Sequence, residues 1–142
     1  MYIMQLVDGE STSRKSILIV DDDFDIVSIL KLGLEKHSAL DVYGFTHPAL
    51  ALEHFERNIK NYDLVISDIR MPPMNGFEFV KKIRTIKPEV KVFLMTAFEI
   101  NEAEFRRVLP STRIDEFIRK PISLAKLNSL VLDHLMIETK EA

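Results

Sequence analysis

Apolar and polar residues alternate along this 142-residue chain with two periods in turn, one typical of strands and one of helices. Short apolar runs predict five buried strands: SILIV (16–20), LDVYGF (40–45), DLVIS (63–67), KVFLMT (91–96) and EFIRK (116–120). Between and after them, apolar residues recur every three or four positions, as on one face of a helix. This spacing predicts five helices, from Ile26 to near His37, from Pro48 onward, and at 75–87, 101–109 and 123–135.

Two of these helices carry more detailed signals. In the first, the buried stripe is predicted to comprise Ile26, Ile29, Leu30 and Leu34. In the third, Asn75 is predicted to be the N-cap, and Glu78 follows it at the spacing of a capping box.

Strand followed by helix, five times in succession, predicts the fold class. Such alternation requires parallel strands joined by right-handed crossovers, so we expect an α/β, doubly wound five-stranded parallel sheet with five helices on two faces. This pattern occupies residues 15–137 as one domain. Residues 1–14 are predicted to be a flexible N-terminal extension, with a docking or dimerising strand at the apolar MYIMQLV as the alternative, and 138–142 a C-terminal tail.

Composition excludes several classes of protein. The chain has no cysteine, which removes disulfides, thiolate nucleophiles and zinc–thiolate sites. Its formal net charge of -3 argues against nucleic-acid binding. No apolar stretch approaches the roughly 20 residues of a membrane span, and the N-terminus lacks the features of a signal peptide. We therefore expect a cytoplasmic protein with no nucleic-acid or membrane partner.

Three consecutive carboxylates, Asp21, Asp22 and Asp23, directly follow the first predicted strand. Two like charges 4 Å apart repel by about 4 kcal/mol at an effective dielectric of 20. An acid after a strand is often the N-cap of the next helix, which would explain Asp23 and leave the other two in excess. Carboxylates attract hard divalent cations such as Mg²⁺, so Asp21 and Asp22 indicate a metal site.

Further polar residues end the later strands. Asp68 ends the third strand, Thr96 the fourth and Lys120 the fifth. Because ligands of such sheets bind beyond the carboxyl ends of the strands, we expect these side chains to line one crevice with Asp21 and Asp22. A carboxylate can accept a phosphoryl group, and a cation, a lysine and a hydroxyl can stabilise the transferring charge. The constellation therefore indicates phosphoryl transfer.

These residues, in this order, resemble the receiver domain of two-component response regulators. The landmarks are ILIVDDD (17–23), LVISDIRMPPMNG (64–76), FLMTA (93–97) and FIRKP (117–121). The resemblance covers about residues 15–137 and implies a flavodoxin-like fold with strand order 2-1-3-4-5. It also implies a cis peptide bond before Pro121 and, at Phe117, an aromatic ring whose rotamer reports activation; a core aromatic is the alternative there.

The resemblance implies a role for each residue of the site. Asp68 is the expected phosphoacceptor, and Thr96 and Lys120 are expected to contact its phosphoryl oxygens. Asp22 is expected to bind the metal directly and Asp21 through water. The full predicted set of ligands for Mg²⁺, with Mn²⁺ as a substitute, is Asp21, Asp22, Asp68 and the backbone carbonyl of Arg70.

The function implied is phosphorylation-controlled signalling without turnover of a separate substrate. A sensor histidine kinase or phosphotransfer protein is expected to phosphorylate Asp68, which reshapes the surface around the predicted helix 101–109 and the fifth strand. That surface would bind an unidentified downstream protein or pass the phosphoryl group on. Because the chain ends shortly after Pro121, we expect no output domain, and a monomer or a weak phosphorylation-dependent dimer.

Three alternatives remain at this point. A receiver-like scaffold could act without phosphorylation. A phosphatase could use an aspartyl nucleophile at the end of the first strand, although Asp21–Asp25 does not have the D-x-D pattern with the following small or hydroxyl residue that such enzymes need. Nucleotide or flavin binding is weaker still, since the four glycines form no phosphate-binding loop.

Overall fold

The computed structural model describes residues 14–97 and 112–137. Within these ranges, the strands are β1 (Lys15–Val20), β2 (Leu40–Phe45), β3 (Tyr62–Asp68), β4 (Lys91–Thr96) and β5 (Glu116–Arg119). The α-helices of the same ranges are α1 (Phe24–Leu34), α2 (Pro48–Arg57), α3 (Gly76–Ile86) and α4 (Leu124–His134), and a single 3₁₀ turn spans Ile59–Asn61. The helix predicted at 101–109, residues 1–13 of the extension predicted at 1–14, and the tail at 138–142 lie outside the described residues.

The strands form one sheet in the order β2-β1-β3-β4-β5, and every neighbouring pair is parallel. This confirms the predicted doubly wound architecture and strand order. Val20 pairs with both Phe45 and Ser67, and Thr96 pairs with Arg119. The carboxyl ends of the strands therefore lie side by side at one edge of the sheet. None of the helices in the described ranges is long and apolar enough to cross a bilayer.

Each face of the sheet has its own apolar core. Ile17 and Ile19 of β1 contribute to a cluster with residues of α1 and α4, whereas Leu18 and Val20 contribute to a second cluster with residues of α2 and α3. All four side chains are fully buried. Successive strand residues point to opposite faces, so a continuous apolar run is required when helices cover both faces. The run SILIV therefore forms a central strand of a two-layered core.

Helix α1 is rotated relative to the stripe predicted from the sequence. Val27, Leu30 and Leu34 are buried, but the predicted core residue Ile29 is 53% exposed, so that prediction was wrong. Val27 packs against Gly44 of β2, where a Cβ would lie 2.3 Å from its Cγ1 atom. This close fit, available only because Gly44 has no side chain, favours Val27 over Ile29 on the buried face.

The start of α3 follows the predicted capping box. The backbone N–H of Glu78 donates to Asn75 Oδ1 at 2.9 Å, and the backbone N–H of Asn75 donates to Glu78 Oε1 at 3.2 Å. Two N–H groups without partners in the helix are thereby satisfied. The cap fixes where α3 begins, directly beyond the loop that follows β3.

Candidate functional site

Three carboxylates converge at the carboxyl edge of the sheet. Asp21 and Asp22 follow β1, and Asp68 ends the neighbouring strand β3. One carboxylate oxygen from each lies within 4.8 Å of the others. Asp21 and Asp68 are buried, whereas Asp22 is exposed. The adjacency of β1 and β3 therefore brings together residues 46 or 47 positions apart, as their places at strand ends predicted.

Asp23, the third acid of the run, caps helix α1. Its Oδ1 atom accepts hydrogen bonds from the backbone N–H groups of Asp25 at 2.9 Å and Ile26 at 3.4 Å. This is the N-cap of α1, which confirms the structural explanation offered for this acid. The acidic run thus divides into one cap and two residues that face Asp68.

Lys120 joins the cluster from β5. Its ammonium donates to Asp21 Oδ2 at 2.7 Å and lies 3.2 Å from Asp68 Oδ1. The backbone N–H of Lys120 donates to the carbonyl of Thr96 at 2.7 Å, and its peptide bond to Pro121 is cis, as predicted. The other oxygen of Asp21 accepts from the backbone N–H of Asp23 at 2.9 Å. The ammonium is therefore shared by two acids from two different strands.

Burial and charge perturb the two central groups. The pKa of the Asp68 carboxyl is raised above its ordinary value, first by burial and then by the nearby charge of Asp21, and the ammonium of Lys120 offsets only part of this. For Lys120 the two influences oppose each other. Burial, the largest single influence, would lower the pKa of its ammonium, but the hydrogen bonds and negative charges of Asp21 and Asp68 together outweigh burial, so the net pKa is raised. The lysine is therefore cationic at neutral pH, and Asp68 carries a more basic carboxylate than an exposed aspartate.

A close backbone contact holds the end of β3 against the start of α3. The N–H of Gly76 donates to the carbonyl of Ile69 at 2.7 Å, and a Cβ on Gly76 would lie 2.2 Å from the carbonyl oxygen of Asp68. That oxygen also accepts from the buried hydroxyl of Ser67 at 2.9 Å. Only glycine permits this approach. Sequence reasoning missed both residues, although the Asn-Gly pair after the prolines and the hydroxyl before the acid were visible signals.

Two further predicted residues lie along the same edge. Thr96 is buried at the end of β4, the strand between β3 and β5, and is linked to Lys120 through the backbone hydrogen bond described above. Arg70 lies two residues after Asp68 with an exposed side chain; the metal-binding role of its carbonyl stays a prediction. Phe117 pairs with Leu94 of β4 and packs partly buried against the second core cluster.

The residues present fit a hard divalent cation. All the side-chain donors of the cluster are carboxylate oxygens, the ligands that Mg²⁺ prefers. Three carboxylates share one ammonium, which leaves negative charge that a divalent ion would neutralise. Asp22 is exposed, so at least one carboxylate of the cluster is in contact with solvent.

Residues 17–132 match the family model of the response regulator receiver domain. The chain belongs to this family. The receiver domain is 32% identical over 119 residues to the alkaline phosphatase synthesis transcriptional regulatory protein PhoP of Bacillus subtilis, covering 83% of this chain and 47% of that protein. It is 33% identical over 130 residues to the transcriptional regulatory protein ZraR of Klebsiella oxytoca, covering 92% of this chain and 28% of that protein.

A solved structure gives the same result for the receiver fold. The CheY-like response regulator receiver domain protein from Methanospirillum hungatei superposes with a TM-score of 0.78 at 27% identity, covering 87% of this chain and 95% of that one. The chain spans about half or less of the length of the two curated relatives. The family membership that the sequence motifs implied is therefore confirmed for the receiver domain alone.

Proposed function

We propose that this receiver domain accepts a phosphoryl group on Asp68 from a sensor histidine kinase or a phosphotransfer protein. The observation that carries the proposal is the meeting of Asp21, Asp22, Asp68 and Lys120 at one edge of the sheet. A basic carboxylate beside a cation-binding cluster and an ammonium is what acceptance of a phosphoryl group requires.

The transfer forms one bond and breaks one bond. A carboxylate oxygen of Asp68 attacks phosphorus, the phosphorus–nitrogen bond of the donor's phosphohistidine breaks, and the departing imidazole nitrogen takes a proton from solvent. Later attack by water at phosphorus releases inorganic phosphate and restores the carboxylate. Lys120 and the hydroxyl of Thr96 stabilise the charge on the phosphoryl oxygens.

The same residues support dependence on a divalent cation. Asp22, Asp21 through water, Asp68 and the backbone carbonyl of Arg70 would hold Mg²⁺, and Mn²⁺ could replace it. When bound, the ion supplies positive charge beside the transferring group. The ammonium of Lys120 carries one positive charge beside three carboxylates, and a divalent ion would neutralise the negative charge that it leaves.

Phosphorylation is proposed to change a docking surface around β5. Thr96 and Phe117 lie on adjacent strands, and Lys120 follows β5 directly, so recruitment of the hydroxyl and ammonium to a phosphoryl group acts on this end of the sheet. The local charge change would bias a two-state surface that binds a downstream protein or supports onward transfer. Two relatives are named as transcriptional regulators. The output that we propose for the present chain is contact with an unidentified downstream protein.

The contacts of Asp21 argue against the alternative of an aspartyl phosphatase. One of its oxygens accepts from the backbone N–H of Asp23 and the other from the ammonium of Lys120. Its side chain is only 1% exposed. A nucleophile must present an oxygen to substrate, and both oxygens of Asp21 already accept hydrogen bonds.

Intact mass and peptide mapping test the acceptor. Wild type, incubated with Mg²⁺ and a small phosphodonor, is expected to gain one phosphoryl group on the peptide that contains Asp68. Asp68→Asn is expected to gain none, whereas Asp63→Asn, changed at the opposite end of the same strand, should be labelled as wild type. Absence of label from the wild type under these conditions would support the phosphorylation-independent scaffold instead. Label on another aspartate would move the acceptor.

A further inference from the structure

Strand β2 lies at one edge of the sheet. Within residues 14–97 and 112–137 it pairs with β1 and with no other strand. The free side of an edge strand carries backbone N–H and C=O groups that can pair with a strand of another molecule. How those groups are satisfied in β2 therefore bears on which contacts this domain makes with other chains.

The hydrogen bonds to β1 show which residues of β2 face the free side. The carbonyl of Phe45 points toward β1, since it accepts from the backbone N–H of Asp21 at 3.1 Å. The backbone groups of successive strand residues point to opposite sides, so every second residue before Phe45 faces β1 and those between face away. The residues of β2 that face away from β1 are Leu40, Val42 and Gly44.

Two charged side chains at the end of α1 occupy the backbone groups of Val42, the central residue of this free side. The ammonium of Lys31 donates to the carbonyl of Val42 at 3.0 Å. The carboxylate of Glu35 accepts from the N–H of Val42 at 3.2 Å. Lys31 also donates to Glu35 at 2.9 Å, so the three residues close a ring of hydrogen bonds. This ring is called the edge clamp below.

The edge clamp interrupts the free side of β2 at its middle. The N–H of Leu40 is also occupied, because it donates to the carbonyl of His37 at 3.1 Å. A strand added to β2 must bond to successive outward-facing residues, and Val42 separates the other two. Such a strand could therefore pair along β2 only after Lys31 and Glu35 had left Val42.

We propose that the edge clamp prevents β2 from pairing with the β2 strand of a second copy of this chain. The geometry favours a second copy as the partner, because two identical edges can pair antiparallel about a two-fold axis, each presenting the same residues to the other. Val42 is central in both edges, so this pairing requires two clamps to open. The edge clamp uses no residue of the acidic cluster and does not depend on the proposed phosphorylation of Asp68.

Sedimentation equilibrium of paired alanine variants of the full-length protein tests the edge clamp. Lys31→Ala with Glu35→Ala removes both bonds to Val42 and keeps the formal net charge at -3, since one positive and one negative charge are lost. The control, Glu53→Ala with Arg57→Ala, removes an ion pair of the same spacing from α2 and also keeps the net charge. The clamp variant should self-associate at least about tenfold more strongly than the wild type, because each bond to Val42 is worth up to about tenfold. The control should match the wild type.

Hydrogen exchange at the amide of Val42 locates the association. This amide should exchange faster in the dilute clamp variant than in the wild type, and it should become protected again as the concentration rises. Glu35→Gln keeps a side-chain oxygen that can accept from Val42, so its exchange and its association should stay close to those of the wild type. Wild-type exchange at the amide of the fully buried Leu18 will show that the sheet is intact. Glu35→Ala alone tests the same points with a single substitution.

Several results would overturn the proposal. Faster exchange at Val42 without stronger association would mean that the edge clamp does not prevent pairing. Unchanged exchange at Val42 would mean that Lys31 and Glu35 do not protect it. Equal association of the control would assign the effect to loss of surface charge in general. Association that leaves Val42 unprotected would place the contact elsewhere, and protection at every dilution would identify a segment of the same chain as the partner of β2.

Discussion

Replacement of Lys120 by methionine isolates the charge balance of the site. Methionine keeps much of the apolar length of lysine and removes the ammonium that lies 2.7 Å from Asp21 Oδ2 and 3.2 Å from Asp68 Oδ1. The two acids then face each other and Asp22 without the ammonium of Lys120. In the absence of divalent ions, the variant should be much less stable than the wild type.

The expected loss follows from the geometry. Two carboxylates whose oxygens lie within 4.8 Å of each other repel by at least roughly 3.5 kcal/mol at an effective dielectric of 20. Removal of one partner from a buried ion pair typically costs about 3–5 kcal/mol, and the side chains of Asp21 and Lys120 are only 1% and 17% exposed. We therefore expect Lys120→Met to lower the free energy of unfolding by about 3–5 kcal/mol, a large share of the roughly 5–15 kcal/mol of a typical domain.

Urea unfolding in EDTA and in saturating Mg²⁺ measures both parts of this argument. The variant should regain more stability from Mg²⁺ than the wild type does, because its acids have lost the ammonium of Lys120. Lys126→Met, at an exposed lysine on α4, is the control and should change stability little in either condition. If Lys120→Met costs no more than Lys126→Met in EDTA, the ammonium does not hold the acids together and the electrostatic reasoning fails.

Three further predictions concern other parts of the molecule. Mg²⁺ at 100 times its dissociation constant should add about 2.7 kcal/mol of stability, and Asp22→Ala should remove the resulting rise in melting temperature; an equal rise in both proteins would contradict the metal site. Gly76→Ala should cost about 1–3 kcal/mol in urea unfolding and slow labelling, because its Cβ meets the carbonyl of Asp68, whereas Gly33→Ala meets only a movable side chain. The hydrogen bond from Arg14 holds the pKa of the Asp41 carboxyl below its ordinary value. The bond therefore stabilises the fold at any pH above the ordinary pKa of aspartate, and this contribution is lost as the pH falls through the lowered pKa of the folded state. The stability difference between wild type and Asp41→Asn in urea should therefore close in strongly acidic solution, and a difference that persists there would contradict the assignment.

The overall architecture could be predicted because its determinants are local in sequence. Alternating strand and helix periods, the Asn75 cap and the acids at strand ends each depend on a few neighbouring residues. Once parallel strands are assumed, their carboxyl ends share an edge, which is enough to predict that Asp21, Asp68 and Lys120 meet. The order 2-1-3-4-5 came from the family resemblance, since strand periods do not determine which strands are neighbours.

Several details depend on contacts between distant segments and could not be predicted. The rotation of α1 is one example, because the helix has apolar residues on most of its surface and the fit of Val27 against Gly44 decides which side is buried. Another is that the ammonium of Lys120 lies closer to Asp21, at 2.7 Å, than to Asp68, at 3.2 Å. The closeness of Gly76 to the carbonyl of Asp68 depends on the path of an intervening loop. Local sequence patterns indicate which residues can be buried or can form hydrogen bonds, and packing between distant segments determines which of them do so.

The position of Lys120 also constrains how the site can work. Its ammonium cannot leave Asp21 for a phosphoryl oxygen at no cost, because Asp21 is buried and the oxygen that Lys120 contacts would lose that partner. Departure of the lysine would leave a carboxylate that burial makes unfavourable unless other positive charge is nearby. Cation binding by the three acids and release of Lys120 toward Asp68 should therefore be coupled. The same coupling explains why an acidic cluster can persist in a buried crevice: in the absence of a metal, the lysine supplies part of the charge that the acids require.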